Sequence, residues 1–296
     1  MVKRIGNATL YLGKMEDTIG KIEHVDCIFS DPPYLYIKTH DFDKQFNEQL
    51  FFENVKRLLP DDGFIALFGR GTSFYRWNTR LADLGFIFKE EIVWEKPAGG
   101  GPLNNISRTH ETLSIHTKKD GIIRKNIIPY VEQKNLEFES IINDIKHLKA
   151  AIKHEAGLNS IIDYLQTGTT KYTRNDNGFG VSLQKGLPLT KPEISIMKRI
   201  NEGMREKTII RINAGKIKSV HPTEKPVRLA ERIIALISDE GDTIYDPFMG
   251  SGSFGVACIN TGRKYIGSEM KQEYFDIACK RIEEANRQGD LFRDTA

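Results

Sequence analysis

Ser30-Asp31-Pro32-Pro33-Tyr34 follows directly on the apolar run Val25–Phe29. The two prolines stiffen the turn and withdraw two N–H donors, which leaves the Asp31 carboxylate and the Pro32 carbonyl as fixed acceptors. Two such acceptors suit a group with two N–H donors, such as the exocyclic amine of a nucleobase. That amine is a poor nucleophile because its lone pair is delocalised into the ring. Holding both hydrogens favours the pyramidal form, whose lone pair can attack. Tyr34 adds an aromatic face on which a base would stack.

A second signal lies 215 residues downstream, in Asp246-Pro247-Phe248-Met249-Gly250-Ser251-Gly252-Ser253. It follows the apolar strand pattern Thr243–Tyr245 and opens a helical one. Gly250 and Gly252 permit close backbone approach to a ligand, and the helix start offers free N–H groups to a carboxylate. S-adenosylmethionine (AdoMet) carries such a carboxylate. Glu269, just past the next strand pattern at Lys264–Gly267, stands about where an acid grips ribose hydroxyls in dinucleotide-type folds.

The elements that must position these residues alternate. Apolar strand patterns at Ala8–Leu12, Val25–Phe29, Phe64–Phe68, Phe86–Trp94 and Leu113–His116 are separated by helical patterns near Gln45–Leu59 and Ser73–Leu84. Beyond Thr117 the alternation stops. A helical pattern covers Leu136–Leu165, a polar Gly-rich stretch reads as loop, and another helical pattern covers Glu193–Arg205. The alternation resumes after His221, with helices at Val227–Ser238, Phe254–Asn260 and from Gln272 to about Arg287. An α/β sheet interrupted by a mostly helical and loop insertion is expected, and the active-site turns should leave the carboxyl ends of its strands.

Charge marks the same division. Of the chain's 43 Lys and Arg and 40 Asp and Glu, residues 117–220 hold 19 and 11, which leaves 24 and 29 for the rest. A basic segment on an acidic scaffold suggests contact with a polyanion. Cys27, Cys258 and Cys279 show neither disulfide nor zinc spacing, and the seven histidines form no ligand pattern, so no metal is expected. The absence of a long apolar run argues against a membrane span, and a reducing cytoplasm is the expected compartment.

Together the two motifs resemble the AdoMet-dependent amino-methyltransferases of DNA, specifically the β group, in which the DPPY block precedes the AdoMet block. The resemblance covers residues 1–116 and 221–285. It implies a doubly wound, Rossmann-like methyltransferase sheet with permuted motif order. The catalytic half would be 1–116, the target recognition insertion 117–220 and the AdoMet half 221–287, with a tail at 288–296. Asp31, Pro32, Pro33 and Tyr34 match the catalytic block. Asp246, Phe248, Gly250, Ser251, Gly252 and Ser253 match the AdoMet turn, and Glu269 matches the ribose acid. His221, Pro222, Thr223, Lys225 and Pro226 match the HPTxKP block beside the methionine end of the cofactor. Val93–Pro97 and His110-Glu111 also look like family sequence, without an assigned chemistry. Where family members commonly read Gly-Asp after the first strand, this chain reads Gly13-Lys14, with Glu16 and Asp17 as possible substitutes.

In that family DPPY accompanies adenine more often and SPPY cytosine, so Asp31 favours adenine N6 of a flipped base in double-stranded DNA over cytosine N4. Attack at cytosine C5 would need a cysteine nucleophile, and Cys27 reads as a buried small hydrophobe. An RNA or protein amino-methyltransferase, and a DNA-binding protein that has lost catalysis, remain as alternatives. Candidate DNA contacts are Lys171, Arg174, Lys185, Lys191, Lys198, Arg199, Lys207 and Arg211, each of which is otherwise a solvated charge. Gln288–Phe292 resembles peptides that dock on bacterial sliding clamps, against a plain tail packed back on the domain. The family resemblance implies a bacterial or phage gene.

Overall fold

The computed structural model describes residues 1–34, 45–96, 109–134, 138–152, 172–174, 181–183, 191–212 and 224–293. Its strands are β1 (Val2–Ile5), β2 (Ala8–Leu12), β3 (Cys27–Ser30), β4 (Phe64–Gly69), β5 (Ile87–Glu95), β6 (His110–Thr117), β7 (Ile127–Ile128), β8 (Tyr172–Arg174), β9 (Val181–Leu183), β10 (Met204–Arg205), β11 (Ile209–Arg211), β12 (Thr243–Asp246) and β13 (Lys264–Glu269).

Nine strands form one sheet in the order β1-β2-β13-β12-β3-β4-β6-β5-β11. The run from β2 to β4 is parallel throughout, while β6 is antiparallel to both β4 and β5. Parallel strands covered on both faces need apolar residues at successive positions. Accordingly every residue of Cys27–Ser30 and of Phe64–Gly69 is buried. One face packs under the helices Val227–Ile237, Ser253–Asn260 and Gln272–Arg293, through Leu229, Ile233, Ala257, Phe275 and Ile282. The other packs under Glu48–Leu58 and Gly71–Asp83, through Phe51, Phe52, Val55, Trp77 and Leu81. The sheet is therefore doubly wound. The C-terminal strands β12 and β13 insert between β2 and β3, so strands remote in sequence become neighbours at the centre.

Several elements differ from the sequence pattern for local reasons. The first long helix starts at Glu48 rather than near Gln45, because the Asn47 side chain accepts the Leu50 N–H at 2.9 Å and caps it there. The Gly-rich stretch expected as loop contains a short hairpin in which Tyr172, Thr173 and Arg174 face Leu183, Ser182 and Val181. β-branched and aromatic residues within the two strands favour that pairing. β1 and β11 lengthen the two edges of the sheet beyond the expected strands. The last helix continues to Arg293, so Gln288–Phe292, expected as tail, carry on its backbone.

The chain divides into two compact units, Met1–Asn126 with Lys207–Ala296, and Ile127–Glu206. The second unit is thus shorter than the expected insertion at both ends. Residues just after β6 stay with the first unit: Lys118 Nζ donates to the Leu59 carbonyl at 2.9 Å, and Arg124 pairs with Asp239 at 2.7 Å. After Glu206, β11 joins the sheet beside β5. Trimming these flanks removes the charge contrast. Residues 127–206 hold 11 Lys and Arg against 10 Asp and Glu, and the basic excess of 117–220 lies in the flanks. Within the second unit the helices Tyr130–Gln133, Phe138–Ile152 and Lys191–Glu202 meet around Asp144, which accepts from Tyr130 Oη at 2.7 Å and from Arg199 Nη2 at 3.3 Å. Among the described residues, no helix is long and apolar enough to cross a membrane.

Candidate active site

Both motifs leave the carboxyl ends of the adjacent parallel strands β3 and β12, and they open on one cavity of about 810 Å³. That volume lies within the ordinary range for ligand pockets, and the place is where the strand order reverses direction, the usual binding crevice of such sheets. Asp31, Pro32, Pro33 and Tyr34 line it from β3; Asp246, Phe248, Gly250, Ser251 and Ser253 line it from β12, and Glu269 lines it from β13.

The turn after β12 is held by three sets of contacts. Asp246 accepts from Ser30 Oγ at 2.8 Å, from the Phe248 N–H at 3.1 Å and from Tyr265 Oη at 3.3 Å. Burial pushes its carboxyl up to about 7. Glu269 accepts the Gly250 N–H at 3.0 Å and the Lys271 N–H at 2.8 Å, and burial raises its carboxyl above the ordinary range. Arg281 donates to the Ser251 carbonyl and hydroxyl, both at 2.9 Å, and pairs with Glu224 at 2.7 Å.

Two glycines have distinct duties here. Gly252 has φ +81°, and a Cβ there would lie 2.8 Å from the Ala278 side chain, so it serves close packing and does not line the cavity. Gly250 has φ +53° and open space where its Cβ would project, within the cavity wall. A side chain at Gly250 would fill space left for a ligand. Together with the buried Glu269 carboxylate and the ring of Phe248, set 4.8 Å from Phe46, this forms a cradle with an apolar wall and an acidic end. Those groups fit a nucleoside: an aromatic wall for a base and a carboxylate for ribose hydroxyls.

At the other motif, Tyr34 Oη donates to Asp31 Oδ1 and Lys225 Nζ donates to Asp31 Oδ2. Burial raises the Asp31 carboxyl, with Lys225 opposing and Glu111 reinforcing that effect. Lys225, expected at the cofactor, is therefore placed on the carboxylate of the first motif. Pro226 precedes the helix Val227–Ile237 and does not line the cavity. His221, Pro222 and Thr223 lie outside the described residues. At the departure after β2, Gly13, Lys14, Glu16 and Asp17 all line the cavity, and Glu16 accepts the Asn47 N–H at 2.8 Å.

The candidate DNA contacts scatter. Lys198 is exposed and Arg199 half-buried on one helix, with Lys191 on the first turn of the same helix. Arg174 lies on β8, and Lys171 and Lys185 lie outside the described residues. Lys207 and Arg211 belong to the first unit, where Arg211 pairs with Glu95 at 2.8 Å. Cys27 is buried, its thiol donating to the Ile237 carbonyl at 2.9 Å and pushed up to about 12 by burial, which removes any role as nucleophile at neutral pH. Sequence reasoning missed Glu111, Lys96 and Arg281. The first two lay in stretches noted as family-like, but Arg281 sits in an amphipathic helix with no local signal.

Comparison with known proteins gives the relatives of this chain. A family model for N6/N4 methyltransferases, described as DNA methylase, matches residues 25–280. The type II methyltransferase M2.LlaDCHI of Lactococcus lactis subsp. cremoris is 39% identical over 283 residues, covering 88% of this chain and 83% of the relative. M2.DpnII of Streptococcus pneumoniae, also a type II methyltransferase, is 28% identical over 297 residues, covering 93% and 87%. Among solved structures, the M1.HpyAVI–SAM complex superposes with a TM-score of 0.55 at 22% identity, over 93% of this chain and 99% of the other. The cytosine-N4-specific PvuII DNA methyltransferase gives 0.57 at 17% identity, over 96% and 92%. At such identities the two structures speak for the fold alone.

Proposed function

The chain belongs to the N6/N4 DNA methylase family, whose methyl donor is AdoMet, and from that premise we propose that it methylates adenine N6 within a specific sequence of duplex DNA. The observation that carries the adenine reading is Asp31 at the acceptor position of the first motif, on the floor of the cavity that also holds Gly250 and Glu269. The type II methyltransferases among its relatives support site-specific modification of the kind that accompanies restriction.

The division of labour follows from the residues. Phe248, Gly250 and Glu269 would hold the cofactor's nucleoside. AdoMet, when bound, supplies a methyl group already activated by its sulfonium. What remains for the protein is alignment and acceptor activation. Asp31 and the Pro32 carbonyl hold the two amine hydrogens, and the Asp31 carboxylate opposes the positive charge that grows on nitrogen as the new bond forms. Tyr34 packs between the two apolar clusters with its hydroxyl fixed on Asp31, leaving its ring as a platform. The target base must leave the duplex, at a cost of a few kcal/mol, and contacts to phosphate offset that cost. The unit Ile127–Glu206 is the candidate reader of sequence, with Lys198 and Arg199 on the helix Lys191–Glu202 as candidate basic contacts.

Incubation of the protein with methyl-labelled AdoMet and unmethylated genomic DNA, followed by nucleoside mass spectrometry, tests the reading. N6-methyl-2′-deoxyadenosine lost in Asp31→Ala is the expected result. N4-methyl-2′-deoxycytidine would keep the mechanism and overturn the base; no labelled nucleoside would overturn both.

A further inference from the structure

Four charged side chains from four separate segments meet beside the first motif. Lys225 Nζ, on a side chain only 4% exposed, bonds Asp31 Oδ2 and lies 3.1 Å from Glu111 Oε2. Glu111, at the start of β6, pairs through Oε1 with Lys96, just past β5. The contacts therefore run Tyr34, Asp31, Lys225, Glu111, Lys96, alternating in sign with no net charge among the four ions. A lone buried ion carries a heavy desolvation penalty, and alternation is what makes the cluster tolerable.

The place of Lys225 is informative because the cofactor turn has a cation of its own. Arg281 bonds Ser251 and pairs with Glu224, the residue next to Lys225. Lys225 turns away from that turn, its ammonium 4.9 Å from the Phe68 ring centroid and bonded to Asp31.

We infer that Lys225 is a positioning residue for the methyl acceptor, holding Asp31 ionised and in one orientation, and that Glu111, anchored by Lys96, sets where the Lys225 ammonium lies. The inference deepens the reading of Asp31 as the amine's acceptor and rests on it. An ionised carboxylate only accepts hydrogen bonds, whereas a protonated one presents an O–H to the amine it should hold. Burial drives Asp31 toward that protonated form. The groups facing it are Lys225 and Tyr34, which oppose protonation, and Glu111 and Asp246, which favour it. Lys225 is itself pulled down by burial, but Asp31 and Glu111 more than restore it, so it stays charged.

The test compares full-length wild type with Lys225→Met, Lys225→Arg and the double variant Lys225→Met/Glu111→Gln, which keeps the cluster neutral in case the single variant does not fold. Protein labelled with 13C at the aspartate carboxyl carbon is titrated by NMR, with the Asp31 resonance assigned by its loss in Asp31→Asn. Removal of the ammonium should raise the Asp31 midpoint by about one to three pH units, with partial return in Lys225→Arg. The double variant should show a smaller rise. In methyl transfer to unmethylated genomic DNA, kcat of Lys225→Met should fall about 100-fold at neutral pH and recover toward high pH, with AdoMet affinity unchanged within error. An unmoved Asp31 midpoint would overturn the inference, as would an unmoved pH profile accompanied by weaker AdoMet binding, which would return Lys225 to the cofactor. If the wild type methylates no base, the proposed function fails, and the NMR comparison still decides whether Lys225 governs Asp31.

Discussion

Ser30 Oγ donates to Asp246 Oδ1 at 2.8 Å, so one buried bond joins the ends of two neighbouring parallel strands whose residues lie 216 positions apart. It ties the start of the first motif to the start of the second. The acceptor turn and the cofactor turn thereby share one fixed floor, which in-line transfer between their ligands requires.

That floor carries a pH cost. Burial holds the Asp246 carboxyl near 7 against an ordinary 3.8, so the folded chain keeps this proton longer than the unfolded chain does. Stability present below about pH 4 is therefore lost as pH rises toward 7, and the loss is complete above it. Asp246→Asn should melt higher than wild type at pH 8, with a gap of a few kcal/mol that closes toward pH 4. Calorimetry at both pH values checks this; an equal gap would mean that Asp246 titrates normally.

His116 acts in the opposite direction. Burial pulls it down to about 4, and its Nδ1 has no hydrogen-bond partner among the described residues. The unfolded chain takes up this proton below its ordinary 6.5 while the fold does not. Stability is then full above 6.5 and falls as pH drops toward 4. In His116→Phe the slope of unfolding free energy against pH between 4 and 6.5 should flatten, whatever the repacking costs at neutral pH. Denaturant titrations across that range would show an unchanged slope if the histidine is not responsible.

The two turn glycines should separate stability from binding. Gly252→Ala combines φ +81° with a contact 2.8 Å from Ala278, and should lose about 1–3 kcal/mol of stability. Gly250→Ala shares the backbone strain, at φ +53°, but meets open space, so it should add to a stability loss of about 1 kcal/mol a weaker AdoMet binding, because the new methyl group enters the cradle. Thermal shifts with and without AdoMet distinguish the two. A Gly250→Ala variant that binds AdoMet like wild type would remove this turn from the cofactor site.

Asp31→Ala should lower kcat by about 10²–10³, the scale of losing one contact made to charge developing in the transition state. AdoMet affinity should hold, because Glu269, at the end of β13, and Gly250, in the turn after β12, belong to other segments of the cavity wall. Single-turnover transfer and calorimetric binding measure the two separately; a parallel loss of both would make Asp31 a cofactor ligand.

The motifs, their order and the sheet beneath them are legible in one dimension. A turn after an apolar strand is local chemistry, and buried parallel strands must be apolar at successive positions, so Asp31, Gly250 and the strands Cys27–Ser30 and Phe64–Gly69 could be read in one dimension. Tertiary structure decided what surrounds them. Lys225 faces Asp31 and not the cofactor turn because Arg281, from a helix near the C-terminus, already holds that turn. Glu111 and Lys96 gain a role only because β5 and β6 pair antiparallel and bring His110 opposite Glu95. Part of the basic excess attributed to the insertion belongs to the first unit, because Lys118, Lys119 and Arg124 are bound by partners at Leu59, Asp61 and Asp239. Spacing along a chain reveals periodicity and turns, whereas the partner of a long charged side chain is fixed by strand order and burial, which no local pattern encodes.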